Sequence, residues 1–447
     1  MSIINTLSLE SNRQIKLNFD GGDLSSDAGL LLIKEFAAKI GFTKLIKNKF
    51  KTNDKSIRIH KDDENLMQMI YQIIAAYFED DCADELTSDP VFSAILEKKS
   101  LASQPTISRF FNRMDKDTLL QFDDIDKSLR DIIYAIKRPE HMLLDLDSTL
   151  FYTYGNQEGE GFNFHYQAHG YHPLLCYDGL TGDLLKAELR DGTRHCSNDA
   201  DKFMESIFQE YMERDIKTYL RGDSGFSSPK LYKTCEMNGC SYAIRLKKNA
   251  SLIALASDKD EELYQATKDD QISYAVTYGE FMYQAGSWDY PRRVVFKIEK
   301  PYGQLTHMYT FIVTNMDMEP YQILQFYCGR GKMENFIKEG KSGFDFSLTM
   351  RLKMWELHLQ MQKVLAVGQS PCKSACRCST HAQGVSDKGG PWTALSFTYT
   401  HTHKQPRTPG KARIFWLSSL RSERALPCGV WSAAREGQTT PVDTDRT

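Results

Sequence analysis

Apolar residues in the first 135 positions recur three and four residues apart. Residues 29–39 and 64–78 follow this spacing, as in Leu66, Met67 and Ile70. Such a period is typical of helices that bury one face. The pattern predicts a mainly helical region over residues 1–135.

A further helix is predicted after Pro105, because proline is favoured in the first turn of a helix. The run from Thr106 to Arg113 carries Arg109 and Arg113 among polar residues. Its polar face could enter a DNA groove, or it could be an ordinary solvated helix face. The sequence leaves both interpretations open.

From residue 141 the pattern changes to short apolar strands separated by turns and helices. Strands are predicted at Met142–Leu146, His172–Tyr177, Leu184–Leu189, Ile216–Leu220 and Tyr242–Leu246, with helices at 199–213 and 229–238. Helical crossovers of this kind favour parallel pairing. The predicted order is β-β-β-α-β-α-β, in which the first and fourth strands are neighbours.

Residues 251–320 interrupt this alternation of strands and helices, and their pattern predicts a β-rich insertion. Its strands are expected at Ile272–Val276, Arg293–Ile298 and Met308–Val313. Helical spacing returns over residues 321–339 and again near 350–366. Residues 367–447 are dominated by Gly, Pro, Ser, Thr and Cys and predict an irregular tail.

Composition narrows the class of protein. The chain has 447 residues, 41% of them hydrophobic, which suits two to four domains. No apolar run is long enough to cross a bilayer and the start lacks the features of a signal peptide, so a cytoplasmic protein without a membrane partner is expected. Residues 1–350 hold 42 Lys and Arg against 53 Asp and Glu, whereas residues 351–447 hold 14 against 6.

Acidic residues lie where two predicted neighbouring strands end. Asp145 and Asp147 alternate along the first strand, and Asp223 follows the fourth strand between Gly222 and Gly225. Adjacent carboxylates repel each other unless a cation neutralises them, and hard divalent cations prefer oxygen ligands. A metal site is therefore predicted here. For Asp145, a buried pairing with an arginine and an open position on the sheet face both remain possible.

A third acid lies in the helix predicted over residues 321–339. Tyr327, Arg330, Glu334 and Lys341 are three, four and seven residues apart, which places them on one helix face. Phe326, Met333, Phe336 and Ile337 form an apolar stripe toward the other side. Gly329 and Gly331 disfavour a continuous helix, because each costs about 0.5–1 kcal/mol of stability relative to alanine in a helix interior.

These motifs resemble those of the DDE transposases of bacterial insertion sequences, whose catalytic domain has an RNase H-like fold. Asp147-Ser148-Thr149 resembles the first motif, Asp223-Ser224-Gly225-Phe226 the second, and Tyr327-x2-Arg330-x3-Glu334-x6-Lys341 the Y-R-E-K signature. The resemblance implies an α/β class with an RNase H-like mixed sheet interrupted by a β-rich insertion. Residues 136–250 and 321–366 would form its two parts, behind an N-terminal DNA-binding region.

The resemblance also implies roles for individual residues. Asp147, Asp223 and Glu334 would be catalytic and bind Mg²⁺, for which Mn²⁺ could substitute. Tyr327, Arg330 and Lys341 would contact DNA, and Trp288 in the insertion could stack on a displaced base.

The implied partners are double-stranded DNA with terminal inverted repeats, target DNA, and a second copy of the chain in a synaptic homodimer at the bacterial nucleoid. Two other functions stay open. An RNase H-like nuclease without strand transfer would use similar carboxylates. A relic, meaning a transposase that still binds DNA but is catalytically impaired, would keep the acids without a complete catalytic core.

The tail after residue 366 departs from the family, which would continue into further helical core. We expect a frameshift, a truncated element or a fusion at this point. Limited proteolysis should therefore remove the tail first and leave a core that ends near residue 365, as measured by mass spectrometry. A protease-resistant tail would contradict this interpretation.

Overall fold

The computed structural model describes residues 6–18, 27–153, 155, 157–269, 274–304, 306–343 and 398–400. Its N-terminal region is mainly helical, as predicted. The elements are β1 (Thr6–Ser8), β2 (Lys16–Asn18), α1 (Leu30–Lys39), α2 (Phe42–Lys49), α3 (Asp62–Ile74), α4 (Cys82–Leu86), α5 (Pro90–Leu96), α6 (Gln104–Phe111) and α7 (Lys116–Ile136).

Side-chain caps and an aromatic core fix these helices. The Asp115 carboxylate accepts a hydrogen bond from the Thr118 amide at 3.0 Å and begins α7. Phe50 lies between Phe110 and Phe122, with ring centroids 6.0 and 5.2 Å away. These contacts bring the ends of α2, α6 and α7 into one core.

The remaining elements include a large sheet, the helices that cover it and several short strands. They are β3 (His141–Ser148), β4 (Phe151–Tyr152), β5 (Gly161–Asn163), β6 (Ala168–Tyr171), β7 (Leu174–Asp178), β8 (Leu184–Glu188), α8 (Ala200–Glu213), β9 (Lys217–Gly222), α9 (Pro229–Met237), β10 (Ser241–Leu246), α10 (Ala250–Leu255), α11 (Ser257–Thr267), β11 (Ala275–Tyr283), β12 (Arg292–Lys300), β13 (Met308–Thr314), α12 (Pro320–Cys328), α13 (Lys332–Gly343) and β14 (Thr398–Thr400).

An eight-stranded mixed sheet runs in the order β11-β12-β13-β10-β9-β3-β7-β8. β3, β7 and β8 form the predicted antiparallel meander, and β9 pairs in parallel with both β3 and β10. The predicted neighbours, the first and fourth strands, are β3 and β9. The mixed α/β fold with an RNase H-like sheet order is confirmed.

The β-rich stretch differs from a separate insertion. Residues 251–320 begin with helices α10 and α11, and their strands extend the main sheet because β13 pairs antiparallel with β10. Its first strand starts at Ala275, and residues 272–273 of the strand predicted at Ile272–Val276 lie outside the described residues. A small sheet of β4, β6 and β5, which the pattern did not predict, lies after β3.

Helices cover both faces of the sheet because alternate strand residues are apolar in both directions. On one face, Leu144 and Leu146 of β3 join a cluster with Phe203 and Ile207 of α8. On the other face, α13 packs on the meander, and α12 packs on β10, β12 and β13. None of the described helices is long and apolar enough to span a membrane.

Helix α7 joins the N-terminal region to the sheet layer through α8. The Arg130 guanidinium donates from Nε and Nη2 to the two Glu210 oxygens at 3.0 Å each, and the hydroxyls of Tyr134 and Tyr211 lie 3.1 Å apart. Two-point pairing of a guanidinium with a carboxylate fixes orientation. The N-terminal region is thus held in a defined position on the sheet layer.

The predicted helix near 350–366 and most of the predicted tail lie outside the described residues. Within the tail, Thr398–Thr400 pairs antiparallel with β2. The proposed divisions at residues 135, 250, 320 and 366 stay predictions.

Candidate active site

Asp147 and Asp223 lie side by side at one edge of the sheet. The register pairs Leu146 of β3 with Gly222 of β9, so the next residue on each parallel strand is one of these aspartates. The carboxyl ends of parallel strands are a common position for ligand-binding residues. The structure therefore brings the first two predicted acids together.

The Asp147 carboxylate has a cationic partner. Its Oδ2 lies 2.9 Å from Arg330 Nη2, and its Oδ1 accepts from the Ser148 amide at 2.9 Å. Burial raises the pKa of Asp147 to about 6, with a lowering effect from Arg330 and further raising from the negative charges of Asp223 and Glu334. The folded protein therefore disfavours the ionised form of the Asp147 carboxyl.

Asp223 is positioned by the turn that follows β9. Its Oδ1 accepts from the Gly225 amide at 2.9 Å and caps the 3-10 turn Ser224–Phe226. A Cβ atom on Gly225 would lie 2.4 Å from the Cys196 sulfur. Glycine is required here by this close approach.

Glu334 lies in the first turn of α13 with an exposed side chain. The single helix predicted over 321–339 is broken by a 3-10 turn at Gly329–Gly331. The two glycines explain the break, because glycine weakens a helix interior. Glu334 therefore lies on a separate helix, close enough to Asp147 for its negative charge to help raise the pKa of that carboxyl.

Arg330 and Tyr327 lie at the site, as the Y-R-E-K spacing predicts. Arg330 Nη2 also donates to the Leu146 carbonyl at 3.2 Å. Burial raises the pKa of Tyr327, which Arg330 and Arg245 partly offset. Both side chains are largely occupied by contacts within the protein, and their predicted DNA contacts stay predictions.

Lys341 connects α13 to the segment after β3. Its Nζ donates to Thr149 Oγ1 at 2.7 Å and to the Leu150 carbonyl at 2.9 Å. Burial lowers the pKa of Lys341. These hydrogen bonds connect the helix that carries Glu334 to the segment that directly follows β3.

Trp288 does not have the position expected for a base-stacking residue. Its side chain is only 7% exposed and packs edge-on against Tyr232 and Tyr283, with the Arg292 guanidinium over its ring. The strand-rich stretch extends the sheet, and Trp288 fills the core that this extension creates. The predicted DNA contact at Trp288 stays a prediction.

Tyr166 is a site residue that the sequence analysis did not single out. Burial raises its pKa to about 12, and the charges of Asp147 and Asp223 add to this effect. Its hydroxyl lies 3.4 Å from the Ser148 carbonyl. No motif marks this tyrosine, since the β5–β6 hairpin brings it to the site from a loop.

A buried ion pair lies directly behind the two aspartates. Arg221 donates from Nε and Nη2 to the two oxygens of Asp145 at 2.7 Å each, and the side chains are 3% and 0% exposed. The hypothesis that Asp145 pairs with a buried arginine is confirmed. Arg221 was not predicted, although it is two residues before Asp223 and therefore on the face that Asp145 shares with Asp147.

Arg221 also reaches the helix that precedes Arg330. Its Nη1 donates to the Phe326 carbonyl at 2.8 Å. A Cβ on Gly329 would lie 2.6 Å from that nitrogen, and one on Gly179 would lie 2.5 Å from Asp145 Oδ2. Two glycines therefore make space for an ion pair that joins β3, β9 and the end of α12.

The site has the donor chemistry of a divalent metal centre. Carboxylate oxygens are the ligands that hard cations prefer. Burial, together with the negative charges of Asp223 and Glu334, raises the pKa of Asp147, and a bound cation would favour its ionised form. Within the described parts of the chain, no three His, Cys, Asp or Glu side chains are grouped closely enough to hold a metal. Arg330 supplies the positive charge at Asp147 in this arrangement.

The comparisons with known proteins identify the family. Residues 7–366 match the family described as Transposase DDE domain group 1. This range covers most of the chain, which therefore belongs to that family of DNA transposases, and the activity of the family is DNA cleavage and strand transfer. Enzymes of this family generally use divalent metals. No match was found among curated proteins.

Solved transposase structures show weak similarity. The piggyBac transposase synaptic complex with hairpin DNA is 13% identical, with 79% of this chain and 76% of that chain covered and a TM-score of 0.42. The Mos1 transposase paired-end complex with left transposon end is 13% identical, with 49% and 72% covered and a TM-score of 0.17. These similarities are too weak to assign residues of the site.

Replacing Asp147 with asparagine should change how stability depends on pH. Because the folded state raises the pKa of Asp147, this group favours folding at low pH, and that contribution is lost as the pH rises through about 6. Between about pH 4 and pH 7 the wild-type free energy of unfolding should fall by about 3 kcal/mol from this source. Urea denaturation without divalent cations should show that Asp147→Asn removes this fall.

The exposed aspartate in Asp289→Asn provides the control, which should keep the wild-type dependence. Parallel curves for wild type and Asp147→Asn would contradict the electrostatic description of the site.

Removing the carboxylate in Asp145→Ala should destabilise the protein by about 3–5 kcal/mol, because Arg221 would remain buried without its partner. The double variant Asp145→Leu with Arg221→Met should recover most of this loss, since an apolar pair avoids the buried charge. It should nevertheless reduce DNA cleavage, because the Phe326 carbonyl loses its donor. Denaturation and cleavage assays measure the two effects, and full cleavage by the double variant would show that the pair does not position α12.

Proposed function

We propose that this chain cuts and rejoins DNA at the terminal inverted repeats of an insertion element, with Asp147, Asp223 and Glu334 as the catalytic carboxylates. One observation supports this proposal above the others: the β3–β9 register places Asp147 and Asp223 at neighbouring strand ends. Glu334 begins a helix whose apolar residues Met333 and Ile337 pack on the same sheet.

Asp147 and Asp223 would hold Mg²⁺, with Mn²⁺ as a substitute, and Glu334 would have to move toward them to become the third ligand, because no three such side chains are grouped closely enough among the described residues. When bound, the metal would activate the attacking water or 3′-hydroxyl and stabilise charge on the departing oxygen. The carboxylates of Asp147 and Asp223 must be ionised for this role. Because the pKa of Asp147 is raised to about 6, its ionised fraction increases across the neutral range.

Arg330 would orient the DNA backbone at the scissile bond. A guanidinium can donate two parallel hydrogen bonds to a phosphate. Arg330 Nη2 is bound to Asp147 Oδ2, so a phosphate would compete for the same donor. This exchange would free the Asp147 carboxylate as DNA arrives.

Tyr327 and Lys341 would complete the backbone contacts. Tyr327 lies beside Arg330 at the end of α12, where its hydroxyl could bond a phosphate. Lys341 lies on α13 and donates a hydrogen bond to Thr149 in the segment after β3. Its charge would lie near the DNA backbone that Arg330 holds. Phosphate contacts of this type position DNA without reading its sequence.

Two copies of the chain would bring two element ends together, as a homodimer in the synaptic complex at the bacterial nucleoid. The piggyBac structure is itself described as a synaptic complex with hairpin DNA. Double-stranded DNA with the terminal repeats and a target duplex would be the partners.

Cleavage and strand transfer with a duplex from the end of the element test this proposal. Asp147→Asn, Asp223→Asn and Glu334→Gln should each reduce the cleavage rate by at least about a hundredfold with Mg²⁺, because each removes a charged oxygen ligand. Glu339→Gln is the matched control, since this exposed glutamate lies on the same helix as Glu334.

Wild-type cleavage by any of the three variants would remove that residue from the proposed triad. Cleavage without joining would favour the RNase H-like nuclease, and specific DNA binding without either reaction would favour the relic.

A further inference from the structure

The segment from Lys44 to Lys61, termed the basic segment, differs in charge from the region around it. It contains seven Lys and Arg against one acid, Asp54. Residues 1–350 as a whole hold more acids than bases, 53 against 42. The basic segment is therefore a local positive surface on an acidic body.

Most of the lysines in this segment have no acidic partner. The exposed side chains are those of Lys44, Lys47, Lys51, Lys55 and Lys61. Each is without an ion pair to any described residue, whereas Lys49 pairs with Asp124 at 2.5 Å. Lys61 lies near enough to Glu64 for its charge to help lower the pKa of that carboxyl. The other four positive charges attract a polyanion and favour its backbone over neutral surfaces.

Two isoleucines project from the same segment into solvent. Ile57 and Ile59 are 102% and 88% exposed, the highest values among the described large hydrophobic side chains. Lys47, Lys51, Lys61 and Ile57 line a concavity of about 440 Å³ between α2 and the loop that follows it. Apolar side chains are thus presented within the positive surface.

The loop that carries the isoleucines is held in one conformation by Asp62. Its Oδ2 accepts from the Thr52 hydroxyl at 2.6 Å, and its Oδ1 accepts from Arg58 at 2.7 Å and Arg113 at 3.0 Å. Asp54 also accepts from the Ser56 amide at 2.9 Å. A loop ordered before binding loses less conformational entropy when it contacts a partner.

The loop is also attached to α7. The Lys51 amide donates to Gln121 at 2.9 Å, and Gln121 Nε2 donates back to the Lys51 carbonyl at 3.1 Å. Asn53 donates to Asp115 at 2.6 Å. Since α7 is joined to α8 through Arg130, the loop has a fixed position relative to the sheet that carries Asp147.

We propose that the basic segment is a duplex-DNA contact, with its exposed lysines on the phosphates and Ile57 and Ile59 inserted into a groove. Isoleucine is among the apolar residues that proteins insert between base steps in the minor groove. The proposal deepens the proposed function and depends on it for the identity of the polyanion. It assigns a contact to a loop that no motif of the family marks.

An anionic membrane and a second copy of the chain are the other surfaces that could cover lysines and isoleucines. DNA is favoured because the chain belongs to a family of DNA transposases and because the loop is rigidly connected to the candidate active site.

Salt dependence tests the lysine contacts. A fluorescent duplex from the end of the element is titrated with wild type, with Lys51→Gln plus Lys55→Gln, and with the control Lys217→Gln plus Lys233→Gln. The loss of two phosphate contacts should reduce the slope of log affinity against log salt by about 1.8. The control lysines are exposed on β9 and α9, and their variant should keep the wild-type slope.

The isoleucine contacts are tested separately. Ile57→Ala plus Ile59→Ala should weaken binding by about tenfold with an unchanged salt slope, because apolar contact releases no counterions. Ile136→Ala, which alters an isoleucine 79% exposed on α7, should bind as wild type. Circular dichroism of each variant checks that the fold is retained.

An unchanged slope in the lysine variant, or unchanged affinity in the isoleucine variant, would overturn the proposal. So would phosphatidylserine vesicle binding or self-association that these variants lose while they bind DNA normally. Failure of the proposed function is distinguishable, because Asp147→Asn should bind DNA with the wild-type slope yet not cleave it. At saturating DNA, the lysine variant should cleave at the wild-type rate.

Discussion

The buried ion pair between Arg221 and Asp145 joins the parts of the molecule on which the candidate active site depends. Removing two charges from water is costly, and the cost is offset only by close geometry and satisfied donors. Here one guanidinium binds both carboxylate oxygens and the Phe326 carbonyl. Asp147 lies two residues after Asp145, and Asp223 lies two residues after Arg221. The ion pair therefore fixes the strand ends that carry both acids.

Charge also explains why Arg330 lies on Asp147. Burial and the negative charges of Asp223 and Glu334 raise the pKa of Asp147, and the Arg330 guanidinium is the cation that partly offsets this effect. Because a guanidinium can also bind a phosphate, Arg330 could exchange the Asp147 carboxylate for a phosphate of the DNA backbone. Binding of DNA and availability of Asp147 are then coupled through one side chain.

Local patterns predicted the strands because alternation depends only on neighbouring residues. The helical crossovers predicted that β3 and β9 are neighbours, and hence that the two aspartates lie together. The break at Gly329–Gly331 was foreseeable from glycine, yet the helical spacing of Tyr327 and Glu334 concealed it. Trp288 could not be placed, because its burial depends on strands β11 to β13 joining the main sheet. Tyr166 was missed because a loop of the β5–β6 hairpin brings it to the site.

A transposase must hold DNA at a fixed distance from its carboxylates, because phosphoryl transfer is sensitive to small displacements. The chain meets this requirement with rigid connections. The Lys51–Gln121 hydrogen bonds attach the basic segment to α7, and the Arg130–Glu210 pair attaches α7 to α8. Helix α8 packs on β3, the strand that ends in Asp147. A groove contact at Ile57 would therefore set the register of the duplex on the catalytic sheet, and base-independent lysine contacts alone could not do so.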